Sequence, residues 1–217
     1  MFQDAFDSFA DVFSRPFRRV MAKSLALTAA ALLLAWLGLH RLALSLVHVG
    51  PPWLATTISL LFGVGLLVAL MVLAAPVASL AAGFFLDEIA AHVEREIDPE
   101  GPPGRPAAAR EAAMFALRFA GLSLLVNLVA FALLFVPGLG VVAWIGANGY
   151  LIGREYFELA AMRFRPAQEA RAMRRSYAIP VFAHGLLIAG FVAVPVLNLF
   201  TPLFATALMV RLHARLA

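Results

Sequence analysis

The chain has 217 residues, 63% of them hydrophobic and 14% charged, with a formal net charge of +4 and no cysteine. This composition excludes an ordinary soluble domain, and the missing cysteine excludes disulfides, thiolate metal sites and cysteine nucleophiles. The positive charge does not point to nucleic acid, because the basic residues sit at the ends of apolar runs, where they orient a chain in a membrane.

In chain order, residues 1–19 carry Phe2, Phe6, Phe9, Phe13 and Phe17 at steps of three and four, with Asp4, Asp7 and Asp11 between them. This pattern predicts one amphipathic helix, lying in the membrane interface or against a bundle. Its acidic start and the long apolar segment that follows do not fit a cleaved signal peptide. Residues 20–52 read as a first apolar helix, stopped by the Gly50-Pro51-Pro52 turn. Residues 53–136 read as a long helical hairpin. Leu54 to Leu86 is thirty-three residues without a charge, beyond the ~20 that cross a hydrocarbon core, with Pro76 as a kink. Its polar tip is centred on the loop from Asp98 to Pro106. Phe119 to Gly153 supplies thirty-five further uncharged residues, broken at Pro137-Gly138-Leu139-Gly140. Residues 137–175 read as a short return leg, Val141 to Gly153, followed by a polar stretch from Arg154 to Arg175. Residues 176–217 form a last hairpin that breaks at Pro195-Val196-Leu197-Asn198. The short legs Val141 to Gly153 and Leu199 to Val210 span roughly 20 Å or less at ~1.5 Å per residue, too short to cross.

The fold class is therefore an all-α integral membrane protein of one domain, with two long transmembrane helices forming a hairpin and shorter, partly penetrating helical hairpins. If each hairpin turns on the far side, sixteen of the seventeen Lys and Arg fall on one side and only Arg41 on the other, which puts both termini and the loop at Pro99 to Pro106 in the cytoplasm. The steps Arg15-Pro16, Arg105-Pro106 and Arg165-Pro166 open three hairpins. This spacing reads as a repeat, although an alanine-rich chain produces it by chance as readily.

No catalytic constellation is present. The sequence lacks a phosphate-binding Gly-x-x-x-x-Gly-Lys-Ser/Thr loop, a His-Glu-x-x-His zinc motif and a Gly-x-Ser-x-Gly elbow. Neither enzyme chemistry, nor a cofactor, nor a metal is expected. His40, His48, His92, His184 and His213 share no ligand spacing and read as packed or interfacial side chains. Arg18 and Arg19 lie beside a helix start, where outward N–H groups and guanidinium forks suit a tetrahedral oxyanion; binding anionic headgroups is the blander reading. Arg154 and Glu158 are four apart and can pair on one helix face, and with Glu155 they are candidates to line or gate a water-filled route, or else form a solvated interfacial face. Asn198 can cap a helix from Leu199. Gly149 and Gly153 form a small-x-x-x-small pair suited to close helix packing or dimerisation.

Three segments in order carry a family resemblance: Ser14-Arg15-Pro16-Phe17-Arg18-Arg19; Asn148-Gly149-Tyr150 with Gly153-Arg154-Glu155-Tyr156-Phe157-Glu158; and Pro195-Val196-Leu197-Asn198-Leu199 with Pro202. Together they resemble the CysZ sulfate permease family, also called the EI24-domain family, over essentially the whole chain. The resemblance implies a bacterial inner-membrane, multi-pass, oligomeric protein that admits sulfate to the cytoplasm for cysteine biosynthesis, with two long transmembrane helices and pairs that penetrate partway. It also implies sulfate binding by Arg18 and Arg19. The family's Pro-Gly-Leu-Arg-Arg run is one residue shorter here and lacks the glycine, which marks a divergent member. Membrane lipids, a sulfate-like oxyanion and further copies of the chain are the expected partners. The alternatives are a permease for another small oxyanion, and a non-transporting membrane scaffold or envelope-assembly protein that docks a partner on the charged tip from Asp87 to Arg118.

Overall fold

The computed structural model describes residues 2–46, 56–57, 60–66, 68, 85–133, 140–198 and 200–217. Among the described residues the structure is helical, with no strand. Most of the apolar run 54–86, including Pro76, and the Pro137 to Leu139 break lie outside the described residues. So does the Gly50-Pro51-Pro52 turn.

The chain divides into two compact units, Met1–Arg18 with Leu86–Ala217, and Arg19–Phe85. Helix α1 spans Phe2–Val12 and α2 spans Arg15–Leu46. The single amphipathic helix expected over residues 1–19 is therefore two pieces. Pro16 has no N–H to give and its ring clashes with the carbonyl four residues back, so it is accommodated in the first turn of a new helix. Phe13 and Ser14 close the break by donating to Ala10 O (3.1 Å) and Asp11 O (2.8 Å). The phenylalanines consequently do not share one face: Phe17 is fully buried while Phe6 is 71% exposed.

Within α2, Arg15–Arg41 is 27 residues long and apolar enough to cross a membrane; at 1.5 Å per residue it reaches about 40 Å against a core of about 30 Å. In the Arg19–Phe85 unit its leucines 25, 27, 33, 34, 37 and 39 are exposed, which is what a lipid-facing helix shows and a buried core helix does not. Its two buried hydroxyls are satisfied locally, Ser24 Oγ donating to Val20 O (3.0 Å) and Thr28 Oγ1 to Ser24 O (2.8 Å), as an apolar solvent requires.

The larger unit contains α3 (Leu86–Ile97), α4 (Ala109–Leu133), α5 (Gly140–Met162), α6 (Ala167–Ser176), α7 (Ala178–Val192), α8 (Pro195–Asn198) and α9 (Thr201–Leu216). Helix α5 is the centre, packed on α4, α6, α7 and α9; α9 also receives α1 and α3. The core is built from Phe157 of α5, Ile188 of α7 and Leu203, Leu208, Met209 and Leu212 of α9, with Ile89 and Val93 of α3. On α4 the residues Leu117, Leu124, Leu125, Leu128 and Phe131 are all more than half exposed.

Three boundaries differ from the sequence reading. The thirteen-residue return leg and the start of the polar stretch are one 23-residue helix, because no proline or glycine pair interrupts Val141 to Met162 while Gly149 and Gly153 are held by packing. The polar stretch instead breaks at Arg163 to Pro166, where Pro166 opens α6. Helices α6 and α7 then meet at 91° at Tyr177. The last helix begins at Thr201 rather than Leu199, with Phe200 in the capping position and no side-chain cap. Asn198 Oδ1 accepts a bond from Thr201 Oγ1 (3.4 Å) rather than capping backbone N–H groups.

The glycine pair of α5 resolves as packing within one chain. A Cβ on Gly185 of α7 would stand 2.0 Å from Gly149 O and 2.9 Å from Gly153 Cα, and one on Gly153 would stand 2.7 Å from Val181 O. The backbones of α5 and α7 touch here, which only glycine permits.

Candidate functional site

The polar ends of these helices are organised around buried arginines. A charge leaves water only if an opposite charge and directed hydrogen bonds replace its hydration, and each cluster obeys this rule. Arg163, with a side chain 5% exposed, donates from Nε to Glu94 Oε1 (2.5 Å), from Nη2 to Glu94 Oε2 and Gly104 O (both 3.2 Å), and pairs with Asp87. Gly104 N–H donates to Glu94 Oε2 (3.1 Å) and Arg105 N–H to Arg163 O (2.8 Å). The polar tip therefore folds back onto its own chain rather than projecting as a free arm. A second cluster ties α1 to α9: Arg211 contacts Asp11 (2.6 Å), Ser8 (3.2 Å) and Glu96 (3.1 Å), and Arg215 pairs with Asp4.

The third cluster contains the route candidates of the sequence. The four-residue spacing on α5 brings Arg154 Nε to 3.2 Å from Glu158 Oε1, and the Pro166 turn folds α6 back so that Arg174 Nε donates to the same oxygen at 2.7 Å. Glu158 is 1% exposed, and the two guanidinium groups offset its burial. Glu155, next to Arg154 on the helix and half-buried, forms no ion pair among the described residues, and burial pushes its carboxyl up to about 7. The pKa of Tyr156 is also raised, by burial first and by the Glu155 charge second.

Beside this cluster lies a cavity of about 300 Å³ between α4, α5 and the start of α6, lined by Arg118, Arg154 and Arg171 together with Glu111 and Glu158. The sequence reading missed Arg118, Arg171 and Arg174 as neighbours of Arg154. The spacing of Arg171, Arg174 and Arg175 shows a basic helix, but which of them turns inward depends on how far Pro166 reverses the chain.

Arg18 and Arg19 are consecutive on the first turns of α2, both exposed, and among the described residues neither side chain forms an ion pair or hydrogen bond. Ser14, immediately before that helix, has a buried hydroxyl without a partner. His184 and His213 are 3% and 4% exposed, and burial lowers the pKa of His213 to about 4, with the Arg165 charge acting in the same direction. Among the described residues no three His, Asp or Glu side chains gather as metal ligands would.

A profile of the family described as Sulfate transporter CysZ/Etoposide-induced protein 2.4 matches residues 4–202, leaving three residues before the match and fifteen after it in the chain of 217. No curated protein matches the chain. With the all-helical fold, an apolar helix of membrane length and a match over nearly the whole sequence, the chain belongs to the CysZ/EI24 family of sulfate-transporter-related proteins.

Proposed function

We propose that this protein lets sulfate, or a closely similar tetrahedral oxyanion, pass through a bacterial inner membrane into the cytoplasm, where it supplies cysteine biosynthesis. The observation that carries this reading is the Arg18-Arg19 pair: two guanidinium groups, exposed and unpaired among the described residues, at the head of the helix long enough to cross the bilayer. Five other arginines, Arg154, Arg163, Arg174, Arg211 and Arg215, are matched with carboxylates, whereas the exposed forks of this pair suit recruitment of an anion from water by charge-assisted hydrogen bonds. The apolar faces of α2 and α4 lie in lipid, the basic helix ends and both termini lie in the cytoplasm, and the chain works as an oligomer in which a long helical hairpin crosses while shorter pairs penetrate partway. Arg154, Glu155 and Glu158 line or gate the inner part of the route. Contacts along it must be weak and multiple, because an ion held tightly does not leave.

The test is uptake of radiolabelled sulfate into liposomes containing the purified protein. A hydrogen bond to a charged group contributes about 1.5–3 kcal/mol, so replacing both arginines (Arg18→Gln with Arg19→Gln) lowers initial uptake by at least about tenfold at sub-saturating sulfate. Unchanged uptake by a well-folded double variant removes the pair from the mechanism. Absence of uptake by the wild-type protein removes the transport reading.

A further inference from the structure

We infer that the cavity between α4, α5 and the start of α6 is a binding cup for a doubly charged tetrahedral oxyanion, held by Arg118, Arg154 and Arg171 and separate in the chain from Arg18 and Arg19. Its charge balance carries the inference. The lining contributes three guanidinium groups and the carboxylates of Glu111 and Glu158. Glu158 is also held from outside the lining by Arg174 at 2.7 Å. Four positive and two negative groups leave a surplus of two positive charges, the charge of one sulfate or of one fully ionised phosphate monoester.

The donors are available as well. Arg154 turns Nε toward Glu158, and Arg171 spends Nε on Ala167 O at 2.9 Å. Among the described residues the remaining guanidinium nitrogens of both, and all those of Arg118, have no protein partner. Such planar forks match the oxygens of a tetrahedral anion two at a time. Helix α6 begins at the rim, and its N-cap residue Pro166 offers no side-chain acceptor to the first-turn N–H groups, so the positive end of the helix adds to the same field. The α4 wall that carries Arg118 also presents Phe115 and Phe119, stacked at 6.2 Å between centroids; this apolar surface lowers the local dielectric and strengthens each charged contact. At about 300 Å³ the cup has room for an oxyanion that retains part of its hydration, a state suited to exchange rather than permanent capture.

The chemistry admits two sources, a free oxyanion and the phosphate monoester of an anionic lipid, phosphatidic acid. Where the occupant is free sulfate, the inference rests on the transport reading above and makes the cup a second station on the same route. The experiment uses full-length protein in detergent: its thermal midpoint is read in sodium sulfate against sodium chloride at matched ionic strength, and bound phosphatidic acid is read by native mass spectrometry. A sulfate-specific rise in midpoint that weakens at least tenfold in apparent affinity in Arg118→Gln with Arg171→Gln, and persists in Arg18→Gln with Arg19→Gln, supports the cup with a free anion. Phosphatidic acid retained by wild type and lost in the Arg118/Arg171 variant supports the cup with a lipid phosphate. Sulfate response and lipid retention both unaffected in that variant overturn the inference. The pair Arg118→Lys with Arg171→Lys keeps the charge but loses the fork, so it guards against misfolding; wild-type affinity in it also overturns the inference. Sulfate uptake separates the two claims. Normal uptake with an insensitive cup overturns the cup alone, and a sensitive cup in a protein without uptake overturns transport alone.

Discussion

Replacing Gly185 by alanine tests the contact between α5 and α7 that holds the larger unit together. The added Cβ would stand 2.0 Å from Gly149 O and 2.9 Å from Gly153 Cα. Both obstacles are backbone, so no side chain can rotate away, and the helices must separate by about 1 Å to reach even the ~3 Å closest approach of real atoms. A gap of this size forfeits a quarter to a half of each dispersion contact along the seam, where Leu186 packs on Gly149 and Val181 on Gly153. Overpacking costs about 1–3 kcal/mol, and at about 2–4 °C per kcal/mol for a chain of this size the midpoint falls by roughly 2–12 °C. Gly190 is the internal control: it lies on the same helix, a Cβ there meets nothing within 4 Å, and alanine is the better helix former. The assay is thermal unfolding in one detergent, followed by fluorescence-detected size exclusion. Gly190→Ala melts at or slightly above wild type and Gly185→Ala well below it. Equal midpoints for the two variants would refute the close approach of the two backbones.

Two further outcomes follow from the buried charges. Arg163→Ala leaves Glu94, with a side chain only 9% exposed, without its cation, which costs about 3–5 kcal/mol; the loop from Asp98 to Pro106 then becomes sensitive to limited proteolysis, and wild-type resistance would show that the cluster is not what holds the tip down. His213 binds a proton less readily folded, with its pKa near 4 against 6.5 ordinarily. The unfolded chain therefore takes up the proton first, and stability that is full above about pH 6.5 declines as pH falls toward 4, by about 1–2 kcal/mol between pH 7 and 5. Phenylalanine at this position keeps the stacking on Phe164, whose ring centroid lies 5.3 Å away, and removes that component; identical midpoint-versus-pH curves for His213→Phe and wild type would contradict the assignment.

Local chemistry made much of this legible in the sequence. The Arg154 to Glu158 pairing and the close-packing glycines at 149 and 153 depend on a four-residue helical step and a missing Cβ, both properties of a few neighbouring residues. The partners were not legible. Nothing near Gly149 names Gly185, and nothing near Arg163 names Asp87 and Glu94, which come from the other side of the apolar run 119–153. The same applies to Arg174, which reaches Glu158 only because the chain reverses at Pro166. Burial was the other blind spot: Phe2 to Phe17 read as one stripe by period, but the break at Ser14 places Phe17 inside while Phe6 stays outside.

That break has a consequence for how the protein is made. Helix α1 turns its acidic side inward, where Asp11 and Ser8 meet Arg211 across 200 and 203 residues and Asp4 meets Arg215 across 211. At synthesis rates of roughly 5–20 residues per second, about 10–40 s pass between emergence of α1 and arrival of its partners. Over that interval Asp11 and Ser8 wait for Arg211. The first helix made is thus latched by the last, so docking of α1 reports that the rest of the unit has been completed.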